Sequence, residues 1–272
     1  MPTFPLRHLS LPLLGAVLAP AQELPLALNL PLPVQLEAGQ LGLRFTHRFE
    51  EQVRSNGKEA GGLDGYAYAA LGVDLGVPGV RGLNAQVYRS ADQKTLVLAL
   101  QQALVSRGSF QASLRVERWD ESVRSGGPGL VATGKLGGAV QLPAAFSVGG
   151  GVQVLAVPTY LTRTHTQRDG VFNVGAAFRW EASESHLFTA EYYPVPSKVQ
   201  DRRVVPWPQG GRRFEAAWAL GYTLRTKGHR FSLMATTTPG TTAAQVLSGD
   251  YAGLGARRSG DWGLGFNVIR IL

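Results

Sequence analysis

The chain has 272 residues, of which 44% are hydrophobic and 17% charged, and 34 are glycine. The absence of cysteine excludes a disulfide framework, a thiolate metal site and a cysteine nucleophile. The formal net charge is +8, and no uncharged apolar run of ~18 residues occurs beyond residue 40, which excludes a bundle of membrane-spanning helices.

Residues 1–21 have the features of a cleaved export signal. A weakly basic start at Arg7 is followed by an apolar run from Leu9 to Leu18. The run is too short to span a membrane, and a proline interrupts it. Because Ala19-Pro20-Ala21 has the small-x-small form that a signal peptidase recognises, we expect cleavage before Gln22.

Residues 22–40 are apolar but contain Pro25, Pro31 and Pro33. Proline at this density blocks both a helix and a central strand. The sequence therefore predicts an extended periplasmic lead-in, followed by a single domain over residues 41–272.

From residue 41 onward, apolar and polar residues alternate with a period of two. In residues 212–225, aromatic and aliphatic side chains such as Trp218, Leu220 and Tyr222 alternate with small, polar or charged ones. Side chains of a strand point alternately to opposite faces, so each such segment predicts a two-faced strand. Twelve segments follow this pattern: 41–50, 64–76, 80–89, 94–104, 109–118, 129–142, 145–160, 169–180, 185–194, 212–225, 228–237 and 260–272.

The lengths of these segments and of their connections favour a barrel that spans a membrane. Most segments have about 10–14 residues, whereas ordinary globular strands have about 5–6 and a tilted membrane-spanning strand needs about 9–11. Every second connection is short and the others are mostly long, as at the two rims of an outer-membrane barrel. We therefore expect an all-β, closed, antiparallel up-and-down transmembrane β-barrel of about 12 strands.

In such a barrel the apolar face meets lipid and the polar face lines the lumen. The apolar face has aromatic residues near segment ends, which are candidates for the membrane interface: Tyr160, Trp180, Tyr192, Trp218 and Trp262. The polar face has charged residues, which are candidates for lining the lumen: Arg44, Arg48, Glu50, Asp74, Arg115, Glu117, Lys135, Arg179, Glu181, Glu191, Arg213, Glu215, Arg225 and Arg230.

The lumen charges allow two interpretations. Acids and bases that pair across strands would fill a narrow barrel, because a buried charge must be paired or solvated. A basic, water-filled path would instead favour anions, as rings of arginine and lysine do. In the second interpretation Arg44, Arg48, Arg115, Arg179 and Arg230 set the potential of the lumen.

Several segments resemble, in order along the mature chain, a bacterial family of predicted outer-membrane β-barrel proteins of unknown function. The opening is carried by residues 32–39 (LPVQLEAG) and 41–49 (LGLRFTHRF). Further similarity lies in residues 87–90 (VYRS), 190–193 (AEYY), 229–231 (HRF), 238–240 (TPG) and 262–270 (WGLGFNVIR). The resemblance implies a barrel in the Gram-negative envelope and transfers no catalytic residue.

The sequence gives little support for catalysis, metal binding or cofactor binding. None of the five histidines has a close ligand spacing, so no metal site is predicted. His229 and Ser232 are three residues apart, and on a strand they face opposite sides, which argues against a hydrolase. The glycines of 149–151 are expected inside a strand, where they relieve crowding or allow curvature.

The basic composition does not indicate nucleic-acid binding, because the basic residues alternate with apolar ones instead of forming a patch with stacking aromatics. Basic segments at 198–203 and 257–258 would meet outer-membrane lipopolysaccharide. The leading hypothesis is a narrow channel or binding barrel for small polar or anionic solutes. The alternatives are a structural or partner-binding envelope barrel with a closed, salt-bridged lumen and, third, an outer-membrane hydrolase. We predict no enzyme activity and no cofactor.

Overall fold

A computed structural model of the protein describes residues 26–49, 67–90, 95–121, 135–163, 169–194, 216–238, 240–241, 246–247 and 262–272. These residues contain thirteen strands: β1 Leu41–Phe49, β2 Ala67–Gly76, β3 Leu83–Ser90, β4 Thr95–Arg107, β5 Phe110–Glu121, β6 Lys135–Gln141, β7 Ala144–Gly149, β8 Val152–Arg163, β9 Asp169–Glu181, β10 His186–Tyr193, β11 Ala217–Thr226, β12 His229–Thr236 and β13 Gly263–Ile271.

The strands close into one antiparallel barrel with twelve wall positions. Consecutive strands pair with each other, except β6 with β7, and the pairing of β13 with β1 closes the circle. Strands β6 and β7 share one wall position, because both lie between β5 and β8. The predicted all-β, closed, antiparallel barrel of about twelve strands is thereby confirmed.

The wall between β5 and β8 differs from the sequence prediction in the position of its turn. Segments 129–142 and 145–160 were predicted with a turn at residues 143–144. In the structure the chain does not turn there; Pro143 lies in a break between β6 and β7, which share one wall position. The turn lies instead at Gly149–Gly151, all three of which have positive φ (92°, 60° and 74°). The expectation that these glycines lie inside a strand was therefore wrong for Gly150 and Gly151, whose left-handed backbone conformations reverse the chain, whereas Gly149 is the last residue of β7.

The wall is polar inside and apolar outside. On β9, Phe172 and Phe178 are 54% and 47% exposed on the outer surface, whereas Asn173 and Arg179 are buried inside. The same inversion holds on β1, where Arg44 and Arg48 are buried and Leu43 is exposed. A soluble barrel would bury its apolar face, so this distribution is the one expected of a barrel that is surrounded by lipid.

The connections divide the barrel into two ends. Residues 77–82, 108–109, 150–151, 182–185 and 227–228 form short turns at one end, the turn rim, where β1 also begins and β13 ends. The opposite end is the loop rim, where the connections lie mostly outside the described residues. Within the described ranges, no helix is long and apolar enough to cross a membrane.

Candidate functional site

The lumen is occupied by residues 26–36, which we call the plug. Leu26 and Pro31 form an isolated antiparallel bridge, and the N–H of Ala27 donates to the carbonyl of Leu30 at 2.8 Å. Leu28, Leu30 and Leu32 are at most 1% exposed. The Pro-rich segment 22–40 was expected as an extended periplasmic lead-in; the structure shows that residues 26–36 of it fold back inside the barrel, whereas residues 37–39 are exposed.

A single carboxylate, that of Glu191 on β10, anchors the tip of the plug. Its oxygens accept hydrogen bonds from the backbone N–H groups of Leu28 at 2.8 Å, Asn29 at 3.0 Å and Leu30 at 3.2 Å. The hydroxyl of Tyr193 donates to the same carboxylate. Charged acceptors make stronger hydrogen bonds than neutral ones. The backbone N–H groups of this irregular segment are not paired with a strand, and the carboxylate of Glu191 accepts their hydrogen bonds instead.

Side chains of other strands also form hydrogen bonds with the plug. Arg48 Nη2 donates to Asn29 Oδ1 at 2.7 Å, and Arg48 Nη1 donates to Asn267 Oδ1 at 3.0 Å. Asn267 Nδ2 in turn donates to the carbonyl of Leu28 at 2.8 Å. Farther along the plug, Gln101 Nε2 donates to the carbonyl of Leu32 at 2.6 Å. The plug is therefore hydrogen-bonded to β1, β4, β10 and β13.

The leucines of the plug pack against an apolar part of the lumen wall. Leu28, Leu30 and Leu32 belong to one buried cluster with Leu155, Val157, Ala177, Ala219 and Met234 of the wall. Two wall glycines make room for them. A Cβ atom at Gly175 would lie 2.7 Å from Leu30 Cδ2, and one at Gly221 would lie 2.5 Å from Leu28 Cδ2.

A second segment, from the connection between β12 and β13, also reaches the lumen. Val246 and Leu247 are buried in the same apolar cluster, and Asn173 Nδ2 donates to the carbonyl of Leu247 at 2.6 Å. The hydroxyl of Tyr88 donates to the carbonyl of Thr241 at 2.6 Å. The lumen thus holds chain from both its N-terminal and its C-terminal sides.

A charged cluster fills the part of the wall away from the apolar side. Arg115 Nη2 lies 2.5 Å from Glu117 Oε1, and both side chains are at most 8% exposed. Arg115 also donates to Gln86, and the guanidinium of Arg44 lies 4.4 Å over the ring of Tyr88. The cavity next to this cluster and the plug has a volume of about 20 Å³. That volume holds about one water molecule.

Three more arginines of the inner face lie near the turn rim. Arg179 Nη1 donates to Gln153 Oε1 at 2.7 Å, and Arg225 Nη2 lies 2.7 Å from Glu181 Oε1. Arg225 and Arg230 are direct cross-strand partners on β11 and β12. Buried charges inside the described part of the barrel comprise six arginines against three carboxylates, so this part of the lumen is basic.

The predicted lumen residues therefore divide into those buried inside the wall, those outside the described residues, and Glu181, which is half-buried at the turn-rim end of β9 beside Arg225. Side chains that the structure places inside, each at most 8% exposed, are Arg44, Arg48, Asp74, Arg115, Glu117, Arg179, Glu191, Arg225 and Arg230. Glu50, Arg213 and Glu215, the side chain of Lys135 and the basic segments 198–203 and 257–258 lie outside the described residues.

The five predicted interface aromatics all lie on the outer face near strand ends. Trp180 lies one residue from the turn-rim end of β9. The other four lie near the loop rim: Tyr160, Tyr192, Trp218 and Trp262. Tyr160, Trp180 and Tyr192 are 44–52% exposed, and Trp218 and Trp262 are half-buried.

The described histidines contact aromatic rings or arginine on the outer face. His47 stacks on Phe266 with ring centroids 4.9 Å apart, and His186 Nδ1 lies 2.6 Å from the hydroxyl of Tyr222. His229 Nε2 lies 3.3 Å from Arg270 Nη1. No group of three or more histidine and acidic side chains that could hold a metal ion occurs in the described ranges.

Several residues that form hydrogen bonds in the lumen were not among the predicted site residues: Asn29, Gln101, Asn173, Tyr193 and Asn267. Alternation assigns Asn173 and Asn267 to the inner face, so their general position was accessible to sequence reasoning. Asn29 carries no such signal, because a Pro-rich segment has no strand parity and its contacts lie up to 164 positions away in sequence.

The chain is similar in fold to solved outer-membrane proteins. Outer membrane phospholipase A from Escherichia coli is 11% identical, with 87% of this chain and 93% of that chain covered and a TM-score of 0.43. The calcium-bound phospholipase dimer from Salmonella typhi is 10% identical, with coverages of 87% and 92% and a TM-score of 0.45. Salmonella typhi OmpF in complex with daunomycin is 9% identical, with coverages of 86% and 97% and a TM-score of 0.39.

The search of curated proteins found no match. The scan against protein families matched residues 141–272 to a family described as "Membrane bound beta barrel domain (DUF5777)". The match begins at the end of β6 and includes every later strand. The resemblance of this chain to an uncharacterised family of membrane β-barrels is thereby confirmed over residues 141–272.

Proposed function

We propose that the protein is an outer-membrane barrel whose lumen is closed by its own plug, and that it acts as a structural or partner-binding protein of the envelope. The observation that carries this proposal is the anchoring of the plug tip by Glu191, which accepts hydrogen bonds from three consecutive backbone N–H groups. The leucines of the plug fit beside Gly175 and Gly221, which supports a plug that belongs to the resting fold.

The test is planar-bilayer recording on the refolded mature chain. A closed barrel gives no discrete conductance steps, although a shift in gel mobility on heating shows that it is folded. Discrete steps from the wild-type chain, at a frequency unaffected by Glu191→Ala, would show that the plug does not close the lumen.

A second candidate is a narrow channel for small polar or anionic solutes that opens when the plug leaves. It is favoured by the excess of arginine over carboxylate among the described buried side chains. Deletion of residues 22–36 then produces anion-selective steps in a salt gradient, and Arg44→Gln together with Arg48→Gln weakens the selectivity. If the shortened barrel folds and stays silent, the channel candidate is rejected and the closed barrel is retained.

We further propose that the protein is not a hydrolase. In the part of the chain that the structure describes, His186 contacts Tyr222 and His229 contacts Arg270, and neither contact involves a serine, which supports this proposal. Release of fatty acid from phospholipid vesicles by the purified, folded protein, above the level of a heat-denatured sample, would overturn it.

A further inference from the structure

The outer wall of β10–β13 contains an apolar groove of about 570 Å³, which we call the outer groove. Two small outward residues, Ala190 and Ala235, lie in it on either side of Leu220, to which both are paired in the sheet register. Phe188 and Tyr222 border these alanines toward the turn rim, and Trp262 borders them toward the loop rim. Small residues between large ones produce the depression.

The outer groove is aligned with a basic corner of the turn rim. Arg270 on β13 is exposed, pairs with His229 of β12 in the register and lies 3.3 Å from its ring nitrogen. Lys227, in the turn between β11 and β12, is also exposed. The structure describes two exposed acidic residues at this rim. Glu184 belongs to the β9–β10 turn and is separated from β12 by β10 and β11, and the backbone of Glu37 packs on Gly76 of β2, which β1 separates from β13. This corner therefore favours an anion.

The separation between the basic corner and the groove is within reach of a lipid acyl chain. Arg270 and the groove residue Leu264 are six positions apart on β13, which is about 20 Å along a strand. At a strand tilt of ~40° this distance is a depth of about 15 Å, which an acyl chain reaches from a headgroup at Arg270. A phosphate at Arg270 thus places an acyl chain of the same lipid in the groove.

We propose that the basic corner and the outer groove form a binding site for one anionic phospholipid of the leaflet at the turn rim. Arg270, His229 and Lys227 hold the phosphate, and an acyl chain fills the space over Ala190 and Ala235. The site lies on the outer wall, so it is independent of whether the lumen conducts.

The test uses quenching of tryptophan fluorescence by phospholipids with brominated acyl chains. The full mature chain is folded into phosphatidylcholine vesicles that contain a small fraction of brominated phosphatidylglycerol or of brominated phosphatidylcholine. The quenching that is lost in the Trp262→Phe variant measures how often a brominated acyl chain lies in the outer groove. Because a basic residue near an anionic headgroup contributes about 1 kcal/mol, we expect the groove to favour the anionic lipid about fivefold.

Two variants separate this site from a general lipid annulus. Ala190→Phe fills the groove and lowers the quenching of Trp262 by both lipids, whereas Ala85→Phe, an outward alanine on β3 outside the groove, leaves it unchanged. Arg270→Gln abolishes the preference for the anionic lipid but retains quenching by the neutral one. Ala235→Phe replaces Ala190→Phe if the latter fails to fold, as judged by gel mobility on heating.

Equal quenching by the two lipids in the wild-type protein would overturn the headgroup part of the proposal. Equal effects of Ala190→Phe and Ala85→Phe would overturn the groove itself and leave only non-specific lipid contact.

Discussion

Leu28 of the plug packs against Gly221 of β11 so closely that a Cβ atom at position 221 would lie 2.5 Å from Leu28 Cδ2. Glycine at position 221 is thus required by a residue 193 positions earlier in the sequence, and not by its own backbone conformation. Gly175 and Leu30 have the same relationship on β9. The wall and the plug are therefore fitted to each other.

Gly221→Ala is expected to displace the plug, because the added methyl group overlaps Leu28 and overpacking costs about 1–3 kcal/mol. Hydrogen exchange at the backbone N–H groups of Leu28, Asn29 and Leu30 should become roughly tenfold faster or more. The double variant Leu28→Ala with Gly221→Ala restores slow exchange, since it removes the overlapping atoms. If the double variant exchanges as fast as Gly221→Ala alone, the overlap does not hold the plug in place.

Glu191→Ala should release the plug tip more completely. It leaves three backbone N–H groups without their acceptor, at a cost of about 1–3 kcal/mol for each buried group. We expect the exchange of these groups to approach that of an unstructured segment, and Glu191→Gln, which retains one acceptor oxygen, to have a smaller effect. Glu117→Ala is the matched control, because Glu117 is equally buried and bonds to Arg115 instead.

Removal of one member of the Arg115–Glu117 pair should destabilise the barrel strongly. A buried charge that loses its partner typically costs about 3–5 kcal/mol, whereas replacement of both by apolar residues of similar size is close to neutral. Urea unfolding in lipid vesicles should therefore show a large loss for Arg115→Met and for Glu117→Leu, and a smaller loss for the double variant. Additive losses would indicate that the two side chains do not interact.

The turn at Gly149–Gly151 should tolerate alanine unequally. At Gly150 the only cost is the positive φ of 60°, about 1–2 kcal/mol, because no atom lies within 4 Å of an added Cβ. At Gly151, with φ of 74°, the Cβ would also lie 2.4 Å from the carbonyl oxygen of Glu181. Gly151→Ala should thus lower the urea midpoint more than Gly150→Ala. Equal midpoints would place the turn elsewhere.

Alternation in the sequence was sufficient to predict the strands, their number and the residues that share a face. This succeeded because the alternation of side chains along a strand is a local property. On β9, for example, Phe172 and Phe178 follow one parity and Asn173 and Arg179 the other. The same logic failed at Pro143, because apolar alternation continues across a break that only the pairing with β5 and β8 defines.

The sequence by itself thus determined a twelve-position, antiparallel barrel with a polar and an apolar face. Only the tertiary structure decided what fills the lumen. The plug has no periodic pattern, and its anchor joins Asn29 to Glu191 and Tyr193 across more than 160 positions of sequence. Such contacts arise when closure of the barrel brings distant strands around one segment. Which buried polar groups find hydrogen-bond partners, and which side chains need a glycine opposite them, is therefore decided in the closed barrel.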